Sequence, residues 1–128
     1  MNYLLDTHTF LWFINDDEQL SGKAINAIAD PDAIKYISMA SLWEIAIKLN
    51  IGKLVLDIPY KALRQQIDIN GFELLHIAFE HTTELSTLNH HHGDPFDRII
   101  ISQALIENLT VISKDKNFAK YQRLQLLW

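Results

Sequence analysis

His92-Gly93-Asp94-Pro95-Phe96-Asp97-Arg98 runs directly into Ile99-Ile100-Ile101-Ser102-Gln103-Ala104-Leu105-Ile106, and the reading of this junction decides the fold. Asp94 ahead of Pro95 has the form of an N-cap with proline at the first helical position, and the apolar run behind it reads as a buried helix. Asp97 then falls in the first turn, where unpaired backbone N–H groups and the helix field favour negative charge. Each effect stabilises a helix start by roughly 0.5–2 kcal/mol or less, so capping alone accounts for acids here. Whether they also do chemistry depends on what the rest of the chain brings to them.

Outward from this junction, strand-like and helical segments alternate. Tyr3-Leu4-Leu5, Lys35 to Ser38, Phe72 to Ile77, Leu109 to Ile112 and Arg123 to Leu127 read as strands. Between them lie a helical turn from Thr9 to Ile14 and a helix capped by Ser21 and closed at Asp30-Pro31. Ser41-Leu42-Trp43-Glu44 has the spacing of a capping box, with serine at N-cap and glutamate three residues on. Further helices are predicted from Pro59 to Gly71 and from Ala78 to Leu88, with a short turn from Phe118 to Tyr121. The pattern predicts one α/β domain over residues 1–128 with a central, mainly parallel five-stranded sheet.

Such a sheet carries a geometric consequence. Crossover helices run antiparallel to the strands, so strand C-termini and helix N-termini share one edge, where open α/β folds bind ligands. Asp6 and Asp115 follow strands, whereas Glu44 and Asp97 open helices. All four are expected at that edge.

The chain has no cysteine, which excludes disulfides and thiolate chemistry and suits a reducing cytosol. Its N-terminus lacks a basic region, and Asp6 and His8 interrupt the first apolar run, so neither a signal peptide nor a membrane span is expected there. The predicted location is cytoplasmic. A net charge of −5 excludes a broad basic face for nucleic acid, and any such contact must be local.

Taken singly, each acid has a plainer structural account: Asp94 and Asp97 in a helix start, Glu44 in a capping box or paired with Lys48, and Asp6 and Asp115 in turns. Taken together they repel one another unless a cation neutralises them. Oxygen-only ligands select hard ions, Mg²⁺ or Mn²⁺, and such ions activate water and stabilise charge on a phosphoryl oxygen. A four-carboxylate edge therefore points to phosphodiester hydrolysis. Arg98 is the best placed cation for a substrate phosphate, ahead of Lys48, Lys114 and Lys116. The triple histidine His90-His91-His92 raises transition-metal binding, but consecutive side chains on a loop converge poorly.

Leu4-Leu5-Asp6-Thr7-His8, Ser41 to Lys48, Gly52-Lys53-Leu54, Asp94-Pro95-Phe96-Asp97-Arg98 and Ser113-Lys114-Asp115 resemble, in order, the PIN domain of VapC-type toxins from Tyr3 to Trp128. The resemblance implies a PIN-like α/β/α sandwich and a Mg²⁺- or Mn²⁺-dependent endoribonuclease of a toxin–antitoxin pair. It also implies a cognate antitoxin partner and a homodimer or larger toxin–antitoxin assembly. Asp6, Glu44, Asp97 and Asp115 match the family's acidic catalytic and metal-binding positions. The same matching leaves Asp94 as N-cap and outer-sphere contributor, Ser113 to position a metal-bound water, and His92 near the substrate. Asn89 stands where relatives commonly have proline.

The antitoxin is expected to lay an extended or helical segment over Trp12 and Trp43 and to place a basic side chain among the carboxylates. Two other functions compete: a catalytically idle PIN-like module that only binds a partner, and a receiver-like phosphoacceptor domain. The receiver reading lacks its acidic pair, since Asp6 stands alone after the first strand.

Overall fold

Strand β1, Tyr3–Leu5, lies at the middle of a five-stranded sheet of order β3-β2-β1-β4-β5. The computed structural model describes residues 1–128. Strands β2 (Lys35–Ser38), β3 (Phe72–Leu75), β4 (Thr110–Ile112) and β5 (Gln125–Leu127) complete the sheet. Every neighbouring pair is parallel. The expected mainly parallel sheet is thus wholly parallel. Its order also removes the receiver-like alternative, whose doubly wound sheet runs 2-1-3-4-5 with β1, not β2, beside β3.

The alternation of side chains along each strand builds two cores. Tyr3, Leu5, Ile37 and Ile112 enter one cluster with Phe10, Ala24, Ile28, Ile45, Leu63 and Ile67. These come from helices α1 (Thr7–Ile14), α2 (Gly22–Ala29), α3 (Met39–Asn50) and α4 (Ala62–Ile69). Leu4 and Val111 point the other way, into a cluster with Ile99, Ile100, Ile101 and Ala104 of helix α6 (Pro95–Glu107). Leu85 and Leu88, in and just after helix α5 (Phe79–Thr87), pack against that second cluster. Helices on both faces make an α/β/α sandwich, which explains why β1 and β4 are buried at every residue. No helix is long and apolar enough to cross a membrane.

Most predicted elements appear, and two helix starts are corrected. Helix α3 begins at Met39, with Ser38 as N-cap accepting from Ala40 N, not at the capping box expected from Ser41. Strand β2 passes straight into the helix, so Ser38 takes the cap and Ser41 is already inside the first turn and buried. Glu44 consequently lies in the second turn. Helix α4 likewise starts at Ala62, three residues beyond Pro59. The predicted Asp94 cap holds: its Oδ1 accepts from Phe96 N at 2.9 Å and Asp97 N at 3.0 Å, with Pro95 as the first helical residue.

Candidate active site

The chain leaves β1, travels outward through β2 and β3, and returns to the other side of β1 as β4. This reversal opens a crevice beyond the C-terminal ends of β1 and β4, the usual ligand position in an open α/β sheet. Asp6 and Ser113 stand at those two ends. Asp6 caps α1, its Oδ1 accepting from Thr9 N at 2.8 Å, and its Oδ2 accepts from Ser113 Oγ at 2.5 Å. The Ser113 oxygen in turn accepts from Asp115 N at 3.0 Å. One hydroxyl therefore ties the end of β1 to the loop after β4. Burial pushes the Asp6 carboxyl above its usual range, opposed by the bonds from Ser113 and Thr9.

Glu44 reaches the edge from α3 and is fully engaged. Thr7 Oγ1 donates to its Oε1 at 2.7 Å, and Lys48 Nζ donates to its Oε2 at 2.7 Å. With its one proton on that carboxylate, the Thr7 hydroxyl accepts from Ser41 Oγ, 2.9 Å away. Thr7 and Ser41 were not singled out as site residues in the sequence. The signal was there only as Thr7 next to Asp6, because the contact to Glu44 spans 37 residues.

Asp97 sits differently. No lysine or arginine pairs with it, and its only side-chain partner in the protein is His92, whose Nε2 lies 3.3 Å from Oδ2. Burial, and then the negative charges of Asp94, Asp115, Asp6 and Glu44, push its carboxyl up to about 8. Asp97 thus feels the charges of Asp6, Glu44 and Asp115, the acids expected with it at this edge, and that of its own helix cap Asp94. No three acidic or histidine side chains yet form a cluster able to hold a metal ion. The donors are all oxygens, of the class that hard divalent cations take.

Two auxiliary residues do other work than the sequence suggested. Arg98 is buried, and its guanidinium donates to Leu88 O at 3.2 Å, Asn89 O at 3.0 Å and Tyr121 Oη at 2.9 Å. It ties the loop before α6 to the segment between β4 and β5 and is not displayed to a phosphate. Ser113 spends its proton on Asp6 and is 5% exposed, so the hydroxyl holds a carboxylate in place of a water. Nor do the histidines converge: His91 meets the Tyr121 ring edge-on at 4.8 Å, while His92 bonds Tyr121 Oη and Asp97. Burial holds the His92 imidazole below its usual range, against the pull of Asp94 and Asp115.

Beside the acids lies a cleft of about 340 Å³ lined by Asp6, His8, Trp12, Gln19, Lys114 and Asp115. Lys114 Nζ stands 5.9 Å from the centre of the Trp12 ring, which packs edge-on against Trp128. On the α3 side Trp43 is 58% exposed and meets Phe96 edge-on at 5.2 Å. A second cleft of about 350 Å³, which includes His91, Lys120 and Arg123, lies against Tyr121 and contains none of the acids.

Comparison with solved structures finds this fold in VapBC2 from Rickettsia felis bound to a promoter DNA fragment. That match has a TM-score of 0.72 at 19% identity and covers 99% of this chain and 98% of that one. VapBC-1 from nontypeable Haemophilus influenzae matches at TM-score 0.68 and 20% identity, over 99% and 97% of the two chains. The PIN domain endonuclease Utp24 matches at 0.52 and 18%, over 94% and 75%. A comparison with curated proteins gives no match. The family model described as PIN domain matches residues 3–124, and over that span the chain belongs to the PIN-domain family.

Proposed function

We propose that this protein is a Mg²⁺- or Mn²⁺-dependent endoribonuclease, the toxin of a toxin–antitoxin pair. The observation that carries the reading is Asp97: a carboxyl in the first turn of α6 with no lysine or arginine beside it, pushed up by burial and then by the charges of four other acids. Membership of a family whose domains are generally nucleases, and a fold shared with toxin–antitoxin structures, support it. Asp6, Glu44, Asp97 and Asp115 would hold the ion, which when bound supplies an activated water and charge stabilisation at phosphorus.

The chain's own residues prepare that arrangement. Ser113 and Thr9 fix Asp6, the Asp94 cap fixes the turn that carries Asp97, and the backbone N–H of Asn117 fixes Asp115 Oδ1 at 2.8 Å. Glu44 has to exchange Lys48 or Thr7 for the cation, since both its oxygens are taken. Asp97 has to give up the proton that its neighbours help it keep. The cleft beside Trp12 and Lys114 offers a ring face and an ammonium to an RNA strand entering the acidic edge.

The antitoxin, on this reading, covers exposed Trp43 and the Trp12 cleft and sets a basic side chain among the carboxylates. A complex with the partner bound far from Asp6 and Asp97 would contradict that placement. Incubating RNA with the parent and Asp97→Asn proteins in Mg²⁺, Mn²⁺ or chelator tests the activity. Cleavage only by the metal-supplied parent is expected; equal cleavage by both proteins would refute the assignment. One observation favours a second reading, an idle partner-binding PIN module: Glu44 is already neutralised by Lys48 and no preformed chelate exists. That module would show no stoichiometric Mn²⁺ binding dependent on the acids.

A further inference from the structure

Behind Asp97 three polar side chains from different segments form a line. Arg98 Nη1 donates to Tyr121 Oη at 2.9 Å, Tyr121 Oη lies 2.8 Å from His92 Nδ1, and His92 Nε2 lies 3.3 Å from Asp97 Oδ2. The protons available fix the first of these directions. A guanidinium has donors only, so the Tyr121 oxygen accepts from Arg98 and has its single proton and one lone pair left to face His92 Nδ1. A Tyr121 proton directed at Nδ1 would leave the hydrogen of the neutral ring on Nε2, aimed at Asp97.

We propose that Arg98 and Tyr121 set the tautomer of His92, and that His92 is thereby a positioning residue which holds Asp97 Oδ2 and leaves Oδ1 to the acidic edge. Burial favours the device: Tyr121 is 4% exposed and Arg98 9%, so their bonds face little competition from water. Arg98 is itself held by Leu88 O and Asn89 O, which fixes the guanidinium against the same loop that delivers His92. Outer groups of this kind orient carboxylate ligands, and their loss typically costs about 10–100-fold in metal affinity or activity. The value of a positioned Oδ1 rests on the metal reading of Asp97 given above, whereas the tautomer does not.

The test has two arms on the full chain. Nitrogen NMR of the metal-free parent at neutral pH is expected to show His92 with Nδ1 bare and Nε2 protonated, and Tyr121→Phe is expected to lose that single tautomer. A parent ring protonated on Nδ1, or a Tyr121→Phe spectrum unchanged from the parent, overturns the inference. In Mn²⁺ calorimetry, His92→Asn, which has no donor at the Nε2 place, is expected to bind at least about tenfold more weakly. His92→Gln, whose amide N–H reaches that place, is expected to restore binding. Parent-like binding by His92→Asn overturns the inference while the metal reading stands. A parent that binds no Mn²⁺ overturns the metal reading and with it the role given to Oδ1, a failure the nitrogen spectra tell apart from failure of the tautomer relay.

Discussion

Glu44 and Asp97 approach the same edge from α3 and α6, and their surroundings differ in kind. Glu44 has an ammonium and a hydroxyl within 2.7 Å. Asp97 has one imidazole at 3.3 Å and the charges of four other acids around it. One acid is balanced by the fold and the other is not. In a domain whose core is otherwise satisfied, with no buried side-chain polar atom lacking a partner, the imbalance marks where an external cation has most to gain.

The sharpest way to break this comparison is to neutralise each acid in turn. Asp97→Asn is expected to reduce metal-dependent RNA cleavage by more than about 100-fold, beyond what loss of an outer partner costs. A gel assay of a labelled RNA with Mn²⁺ measures it. Residual cleavage within tenfold of the parent would place the chemistry elsewhere.

Stability should move in opposite directions for the two acids. Without metal, Glu44→Gln is expected to lose about 1–2 kcal/mol, because Thr7 and Lys48 lose an ionised acceptor. Asp97→Asn is expected to gain on the order of 1 kcal/mol or more near neutral pH, because burial and the neighbouring acids make the parent hold a proton there that the unfolded chain has released, and the amide needs none. Urea titrations of both variants against the parent measure the difference. A shared sign would show that the two sites are not distinguished by charge balance.

The Asp97 effect should depend on pH with a definite sign. Its carboxyl is near 8 in the folded protein against 3.8 as a free side chain, so between those values the folded state keeps a proton that the unfolded chain has released. The stabilisation from that proton is complete below about pH 4 and is lost as pH rises through about 8. The advantage of Asp97→Asn over the parent is therefore expected to grow from pH 5 to pH 8 in metal-free urea titrations. A constant advantage would put the cause in packing.

A smaller test concerns Ser113. Ser113→Ala removes the proton given to Asp6 and the acceptor of Asp115 N, and is expected to cost about 1 kcal/mol in urea unfolding, with weaker Mn²⁺ binding. Unchanged metal affinity would limit Ser113 to joining the two strand ends.

How far the sequence spoke depended on the range of each contact. Asp94-Pro95 is read correctly because an N-cap bonds two and three residues ahead. Strand alternation likewise divides Leu4 from Tyr3 and Leu5 between the two cores. Ser41-x-x-Glu44 misleads as a cap because the pattern also fits inside a helix already started by Ser38 at the end of β2. Arg98 reads as a phosphate ligand from its neighbours, while its real partner Tyr121 is 23 residues away on the far side of β4. The edge itself was legible, since parallel topology alone gathers strand ends and helix starts. Which acid would be left without a counter-charge was not, because that depends on where Lys48 and Arg98 direct their hydrogens.

The central claim is that Asp97 and its neighbouring acids form a divalent-cation site, and calorimetric titration of the metal-free protein with Mn²⁺ at neutral pH tests it most directly. Saturable binding is expected, abolished in Asp97→Asn, with a heat that varies with the buffer because the cation displaces the proton held on Asp97. Absence of saturable heat in the parent, or identical binding by Asp97→Asn, would contradict the account.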